Sequence, residues 1–308
     1  MTTALAAAPV DRLAVSVPTL RQVGDLKRMR VAHADGSAAE RAFRRAWAAL
    51  AGGADPADVA DRECAAALAG ARLGGLDAVT LGDCGLAPAE VASVLTRAAA
   101  ELDGALHPTT RRRIRAALAD PGGGNVTDPP APEFAVALCR QPRAGATAPG
   151  RPRLVVEPPE SHADHCWAVG VYGALFADDV GADPAEAFLL GLAHHLHNAR
   201  MPDAGFAGEQ LLGAYLDPVV DRLTALALAE LPSRVAARVA AVLPARADAG
   251  TPLGRAFHAA DVLDRVLQVH HHARAAAFTA DQALVDLELV HDGPVVDYHR
   301  SVLRAAGL

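Results

Sequence analysis

The chain has 308 residues, 51% of them hydrophobic but only 4% aromatic, with a formal net charge of -7. That length admits one large domain or two of ordinary size, and the Ala- and Leu-weighted apolar content favours helices in close contact. Net acidity with no polybasic run argues against a nucleic-acid groove, leaving room only for a local basic pocket for a small anion; no apolar run reaches the roughly 20 residues of a membrane span.

Residues 1–20 read as irregular, with a helix starting near Thr19–Val23. Met1–Pro9 lacks a basic n-region and a long apolar core, so no signal peptide is expected and a cytoplasmic location follows. Ser37–Leu50 is an amphipathic helix: Ser37 caps it, Glu40 completes a capping box, and Phe43, Trp47 and Leu50 share one face. Further helices are expected over Pro56–Leu73, Ala87–Leu102 and His107–Leu118, the last carrying Arg111, Arg112, Arg113 and Arg115, read as a solvated basic face. Asp120–Pro132 is rich in Pro and Gly, and a domain boundary is placed there: a helical region at 1–132 and a second domain at 133–308. A short helix near Phe134–Cys139 and a loop from Gln141 to Pro159 follow. Helices are then expected over His162–Phe176, Pro184–Ala199, Ala207–Leu216, Pro218–Leu231, Ser233–Leu243, Pro252–Ala277 and Ala280–Val290. Leu154-Val155-Val156 is the single short strand candidate. The four cysteines show no CxxC spacing and read as reduced thiols, with Cys166 a packing residue.

Three segments concentrate ligand-type side chains: Glu160-Ser161-His162-Ala163-Asp164-His165, His194-His195-Leu196-His197-Asn198 and Ala260-Asp261-Val262-Leu263-Asp264-Arg265. Each lies in an apolar, helix-patterned stretch. Helix bundles build metal sites in this way, from inward side chains on several helices. Imidazole and carboxylate suit divalent Fe, Co, Mn, Ni or Zn. Adjacent histidines on one helix stand about 100° apart, so His194 and His195 reach one ion only over the edge between them. Most of the thirteen histidines are ordinary. His270-His271-His272 reads as a solvated face, His291-Asp292 stands at a helix end, and His33, His107 and His299 have no partners in sequence.

Residues from about Arg140 to Leu267 resemble the HD-domain superfamily of metal-dependent phosphohydrolases, closest to the bacterial 5′-deoxynucleotidase branch. The resemblance rests on Pro142-Arg143-Ala144-Gly145, Pro159-Glu160-Ser161-His162-Ala163-Asp164-His165, Gly191-Leu192-Ala193-His194-His195 and Ala259-Ala260-Asp261-Val262-Leu263, in that order. It implies an all-α HD-type helical bundle, preceded here by the extra N-terminal helical region. It also implies one divalent metal held by His165, His194, His195 and Asp261, and a phosphate contact from Arg143, whose guanidinium fork matches phosphate oxygens.

Two positions depart from that pattern. His195 stands where the superfamily has the aspartate of its His-Asp pair, and Asn198 stands where this branch has a glutamate that handles the attacking water. Asparagine orients a water but accepts no proton at neutral pH. His197 and Asp203 are the remaining candidate bases, and Arg200 is an added cation for an anionic substrate. Three readings follow: hydrolysis of a small, nucleotide-like phosphoester by a mononuclear centre, a mononuclear iron oxygenase acting on a small polar metabolite, and a non-catalytic metal- or ligand-binding module. A small-molecule substrate is the expected partner, with the N-terminal helices as a cap or a homodimer layer.

Overall fold

Alanine and leucine carry the chain into helices. In the computed structural model, which describes residues 8–119, 130–145, 150, 153, 155 and 157–275, the fold is all-α, with no strand among the described residues. The order is α1 (Ala8–Asp25), α2 (Ala38–Ala51), α3 (Pro56–Arg72), α4 (Ala78–Asp83), α5 (Pro88–Ala100), α6 (Pro108–Ala119), α7 (Glu133–Arg140), α8 (His162–Val180), α9 (Pro184–Ala193), α10 (Gly205–Leu212), α11 (Leu216–Leu228), α12 (Ser233–Val242) and α13 (Pro252–Ala275), with short 3-10 turns between some of them.

The centre of the fold is α8. A helix apolar all round is buried all round, and every residue from His162 to Ala177 is buried. It packs against α1, α2, α3, α6, α7 and α9, most extensively α9. Glycines set that crossing. A Cβ built on Gly191 of α9 would lie 2.3 Å from the Cα and N of Gly170 in α8, and one built on Gly173 would lie 3.3 Å from the Ala187 carbonyl. The two backbones therefore touch through a seam of small residues.

Two expectations are corrected here. The first is the irregular reading of residues 1–20: α1 starts at Ala8, with Pro9 in its first turn, where a missing N–H costs nothing, and it continues through Pro18. Leu20 and Val23 bury fully against the core, and Tyr172 of α8 donates its hydroxyl to the Leu20 carbonyl at 2.7 Å. Tertiary burial here outweighs the proline. The second is the division at residue 132. Residues from Leu20 through Leu118 and from Phe134 through Ala260 share one apolar core, with Trp47 of α2 edge-on to Phe134 of α7 at 5.0 Å. Met1–Leu267 is one compact unit and Gln268–Leu308 a second. In the second, Gln268 pairs with His272, and His270 is exposed as expected.

Smaller differences have local causes. Asp77 caps α4, an unanticipated helix, through the Thr80 amide. The Arg run of α6 is not simply solvated: Arg113 pairs with Asp61 and Asp178, and Arg115 with Asp103. Most of the 120–132 linker, the ends of the 154–156 strand candidate, and Ala280–Val290 with His291-Asp292 and His299 lie outside the described residues. No helix among the described residues is long and apolar enough to cross a membrane.

Cys64 and Cys166 are buried, and burial pushes both thiols far up; Cys139 is pushed up to about 12 by burial and by Glu40, while Cys84 is exposed. Thiolate is the reacting form. Ellman's reagent is therefore expected to modify Cys84 quickly in the folded protein and the other thiols only on unfolding. Fast reaction of a second thiol would contradict this packing.

Candidate metal centre

The α8–α9 crossing brings two ligand segments together. Gly191 lies three residues before His194, and Gly170 lies five after His165. The helix expected over Pro184–Ala199 does not run through. It stops at Ala193; His195 takes φ -116° and ψ 24°, and a 3-10 turn covers Leu196–Ala199. That break replaces the helical 100° offset. The His194 and His195 rings stand side by side, 4.2 Å between centroids, and lie 5.1 and 5.4 Å from the His165 ring.

Hydrogen bonds fix which nitrogen of each ring is free. His194 Nδ1 lies 2.7 Å from the Gly191 carbonyl, which only accepts, so Nδ1 carries the proton. His165 Nδ1 lies 2.8 Å from Asp264 Oδ2 and donates to it. His195 Nδ1 lies 3.0 Å from Asn198 Oδ1. The amide orientation follows from its other end, because Asn198 Nδ2 donates to the Met201 carbonyl at 3.1 Å. All three rings therefore spend Nδ1 on a partner, which leaves Nε2 as the nitrogen open to a metal ion.

The three rings converge. One ligand atom from each of His165, His194 and His195 lies within 4.8 Å of the others. His165 Nε2 and His194 Nε2 are 3.1 Å apart, and Asp261 Oδ1 of α13 stands 3.3 Å from His165 Nε2. Two imidazole nitrogens and a carboxylate at these distances are held by a positive charge among them, a metal ion or a proton. Burial and the neighbouring His165 push the pKa of His194 far down, so it does not supply that charge as a proton. Asp261 stays ionised against the cost of burial, with the Arg265 guanidinium 2.9 Å from its Oδ2. The buried group can hold a metal ion, and imidazole Nε2 with its Nδ1–H anchored is the usual ligand form.

The anchors reach beyond the three segments. Asp264 accepts from His165 with one oxygen and from Lys27 Nζ with the other, at 2.7 Å; Lys27 also bonds Glu160 Oε1. Lys27 lies just past α1 and is the only lysine in the sequence. The N-termini of α2 and α8 meet as well. The Ser37–Glu40 capping box of α2 abuts the Ser161–Asp164 box of α8, with Ser37 Oγ donating to Asp164 Oδ1. Burial, with Glu40 beside it, raises Asp164 to about 7.

The other expected residues divide. Arg143 is held at the site: its N–H donates to the Glu160 carbonyl at 2.8 Å, and His162 N–H donates to the Gln141 carbonyl at 3.0 Å. Its Nη1 is buried without a hydrogen-bond partner. Arg200 does not come to the site; its half-exposed guanidinium faces Glu230 at 3.7 Å. Asn198 proves to be the anchor of His195 rather than a residue free to orient water. Asp203 accepts the Ala144 and Gly205 amides at 2.8 Å each, and those bonds with nearby His162 outweigh burial and keep it firmly ionised. It ties down the Arg143 loop and is a poor proton acceptor. His197 is pushed down to about 4 by burial and by Arg246, which makes it a weak base too. His162, passed over in the sequence, is fully buried, its ring 4.8 Å from that of His195 and its Nε2 3.5 Å from Asp203 Oδ2, while its Nδ1 has no hydrogen-bond partner.

Asn198→Ala is expected to weaken metal binding about 10- to 100-fold, as loss of an anchoring partner does, with the helical circular dichroism unchanged. Isothermal titration with Zn(II) or Co(II) measures it; unchanged affinity would remove Asn198 from this role.

No family model, no curated protein and no solved structure matches the chain.

Proposed function

We propose that the chain is a metal-dependent hydrolase of a small, nucleotide-like phosphoester, with one divalent ion among Fe, Co, Mn, Ni and Zn held by His165, His194, His195 and Asp261. The observation that carries this reading is the shared anchoring of the three rings, each with Nδ1 spent on a partner, with Asp261 Oδ1 3.3 Å from His165 Nε2. The order of the HD-type motifs supports it. A bound divalent ion supplies Lewis acidity and lowers the pKa of a water. Arg143 is the phosphate holder: its Nη1 is buried without a hydrogen-bond partner, and Glu160 Oε2 stands 3.9 Å from its Nε, beyond hydrogen-bond range. Asp203 fixes the loop that carries Arg143, through the Ala144 amide.

Elemental analysis of the purified protein comes first. Phosphate release is then measured from a panel of nucleoside monophosphates with each of the five metals. Arg143→Ala is expected to lower kcat/KM about 10- to 100-fold, the worth of a charged hydrogen bond. Arg200→Ala should stay within about twofold, as exposed ion pairs do. A metal-loaded protein silent across the panel would sink the hydrolase reading.

One observation favours a second reading, a mononuclear iron oxygenase. Asn198 is engaged with His195, Asp203 is held as an anion, and His197 sits near 4, so neither candidate base, His197 nor Asp203, is a strong one. Oxygen uptake by the ferrous protein in the presence of small polar metabolites separates the two; inertness to oxygen leaves hydrolysis.

A further inference from the structure

We propose that Lys27 is the second cation of this centre: its ammonium holds the position between Glu160 and Asp264 that a second metal ion would take, and so limits the centre to one ion. This rests on the metal reading above only for the first ion. Glu160, His165 and Asp264 each offer one ligand atom, all within 4.8 Å of one another, the spacing of a cation site. Lys27 Nζ sits among them, 2.5 Å from Glu160 Oε1 and 2.7 Å from Asp264 Oδ1. The Lys27, Glu160 and Asp264 side chains are 3%, 8% and 1% exposed. Two buried carboxylates this close require a positive charge between them.

The chain supplies that charge from a residue 133 positions from Glu160 and 237 from Asp264. Every other basic side chain in the sequence, histidine aside, is arginine. The exception fits the place, since an ammonium is a compact point charge on a slim stem whereas a guanidinium is a broad planar fork. Lys27 also leaves Asp264 Oδ2 free to accept from His165 Nδ1, which keeps that nitrogen a donor and directs Nε2 to the first ion. The N-terminal helical region thereby becomes part of the centre.

The test is metal stoichiometry of the intact chain and its variants, by equilibrium dialysis with Mn(II) and by titration with Co(II). The intact chain is expected to take one ion even in excess metal. Lys27→Ala opens the position and should take a second ion through the Glu160 and Asp264 oxygens, which millimolar ethylammonium then displaces. Lys27→Met, which fills the space without charge, and Lys27→Ala with Glu160→Gln should each take one. Two ions in the intact chain, or a folded Lys27→Ala that never exceeds the intact chain's count, would overturn the proposal. If Lys27→Ala is unfolded in metal-free buffer, its helical circular dichroism should return with Mn(II) beyond one equivalent or with ethylammonium; failure of both also overturns it. An intact chain that takes no ion defeats the metal reading, whereas one extra ion in Lys27→Ala still upholds the role of Lys27.

Discussion

Gly191→Ala is expected to destabilise the fold by at least about 3 kcal/mol, at the upper end of overpacking costs, and to abolish metal uptake in whatever protein remains folded. The added Cβ would stand 2.3 Å from the Cα and N of Gly170 and 2.7 Å from the Val169 carbonyl carbon. These are backbone atoms of a fully buried helix, so no rotamer change relieves the clash and α8 and α9 must separate. Separation moves His165 from His194, whose Nε2 atoms now lie 3.1 Å apart. It also shifts the Gly191 carbonyl that holds His194 Nδ1. Two controls grade the effect. A Cβ on Gly170 meets the Phe188 carbonyl at 3.1 Å, a tighter contact than usual but open to small adjustment. A Cβ on Gly82 of α4 meets nothing within 4 Å. Thermal unfolding should therefore rank Gly191→Ala far below Gly170→Ala, with Gly82→Ala at or above the wild type because alanine favours a helix by about 1 kcal/mol over glycine. A Gly191→Ala protein with unchanged melting temperature would mean that the crossing is not this close.

What could be read in advance follows from the range of the physics. The α2 helix was legible because its determinants are local: Ser37 and Glu40 bond each other's backbone within one turn, and Phe43, Trp47 and Leu50 repeat on one face. The all-α class followed from the same local preferences. The meeting of His165, His194 and Asp261 was legible because ligand-type side chains in apolar segments have few other uses. The break at His194 was not, since the apolar pattern continues through Leu196 while the backbone turns. That break changed the meaning of Asn198, which the sequence offers as a water-orienting amide and the fold spends on His195.

Long-range pairings were the least legible. Asp264 is three residues after Asp261, and on a helix such neighbours share a face, so its proximity to the site carried a signal. Lys27 carried none in its own surroundings, Leu26-Lys27-Arg28, where neither neighbour is a ligand-type side chain. Only its being the sole lysine marked it. Arg200 was drawn toward the site by nearness in sequence, yet the 3-10 turn before it points it to Glu230.

His194→Ala is expected to erase the stabilisation that metal binding gives the wild type. Ligand binding to the folded state adds about 4 kcal/mol when free ligand exceeds Kd by about 1,000-fold, which for a chain of this size raises the melting temperature on the order of 10 °C. The wild type holds His165 Nε2 and His194 Nε2 3.1 Å apart beside an ionised Asp261, an arrangement that a bound cation stabilises. Removing His194 takes away a ligand. It also leaves a cavity against Phe257, whose ring lies 5.1 Å from that of His194, and large-to-small changes in a core cost about 2–5 kcal/mol. The cavity lowers the melting temperature with and without metal alike, so the deciding quantity is the increment on adding metal rather than either temperature alone. That increment should fall to near zero in His194→Ala and in His165→Ala, and should persist in Arg200→Ala, which leaves the centre untouched. A full increment in His194→Ala would place the ion elsewhere. No increment in the wild type with any of the five metals would mean that the converging rings serve packing alone.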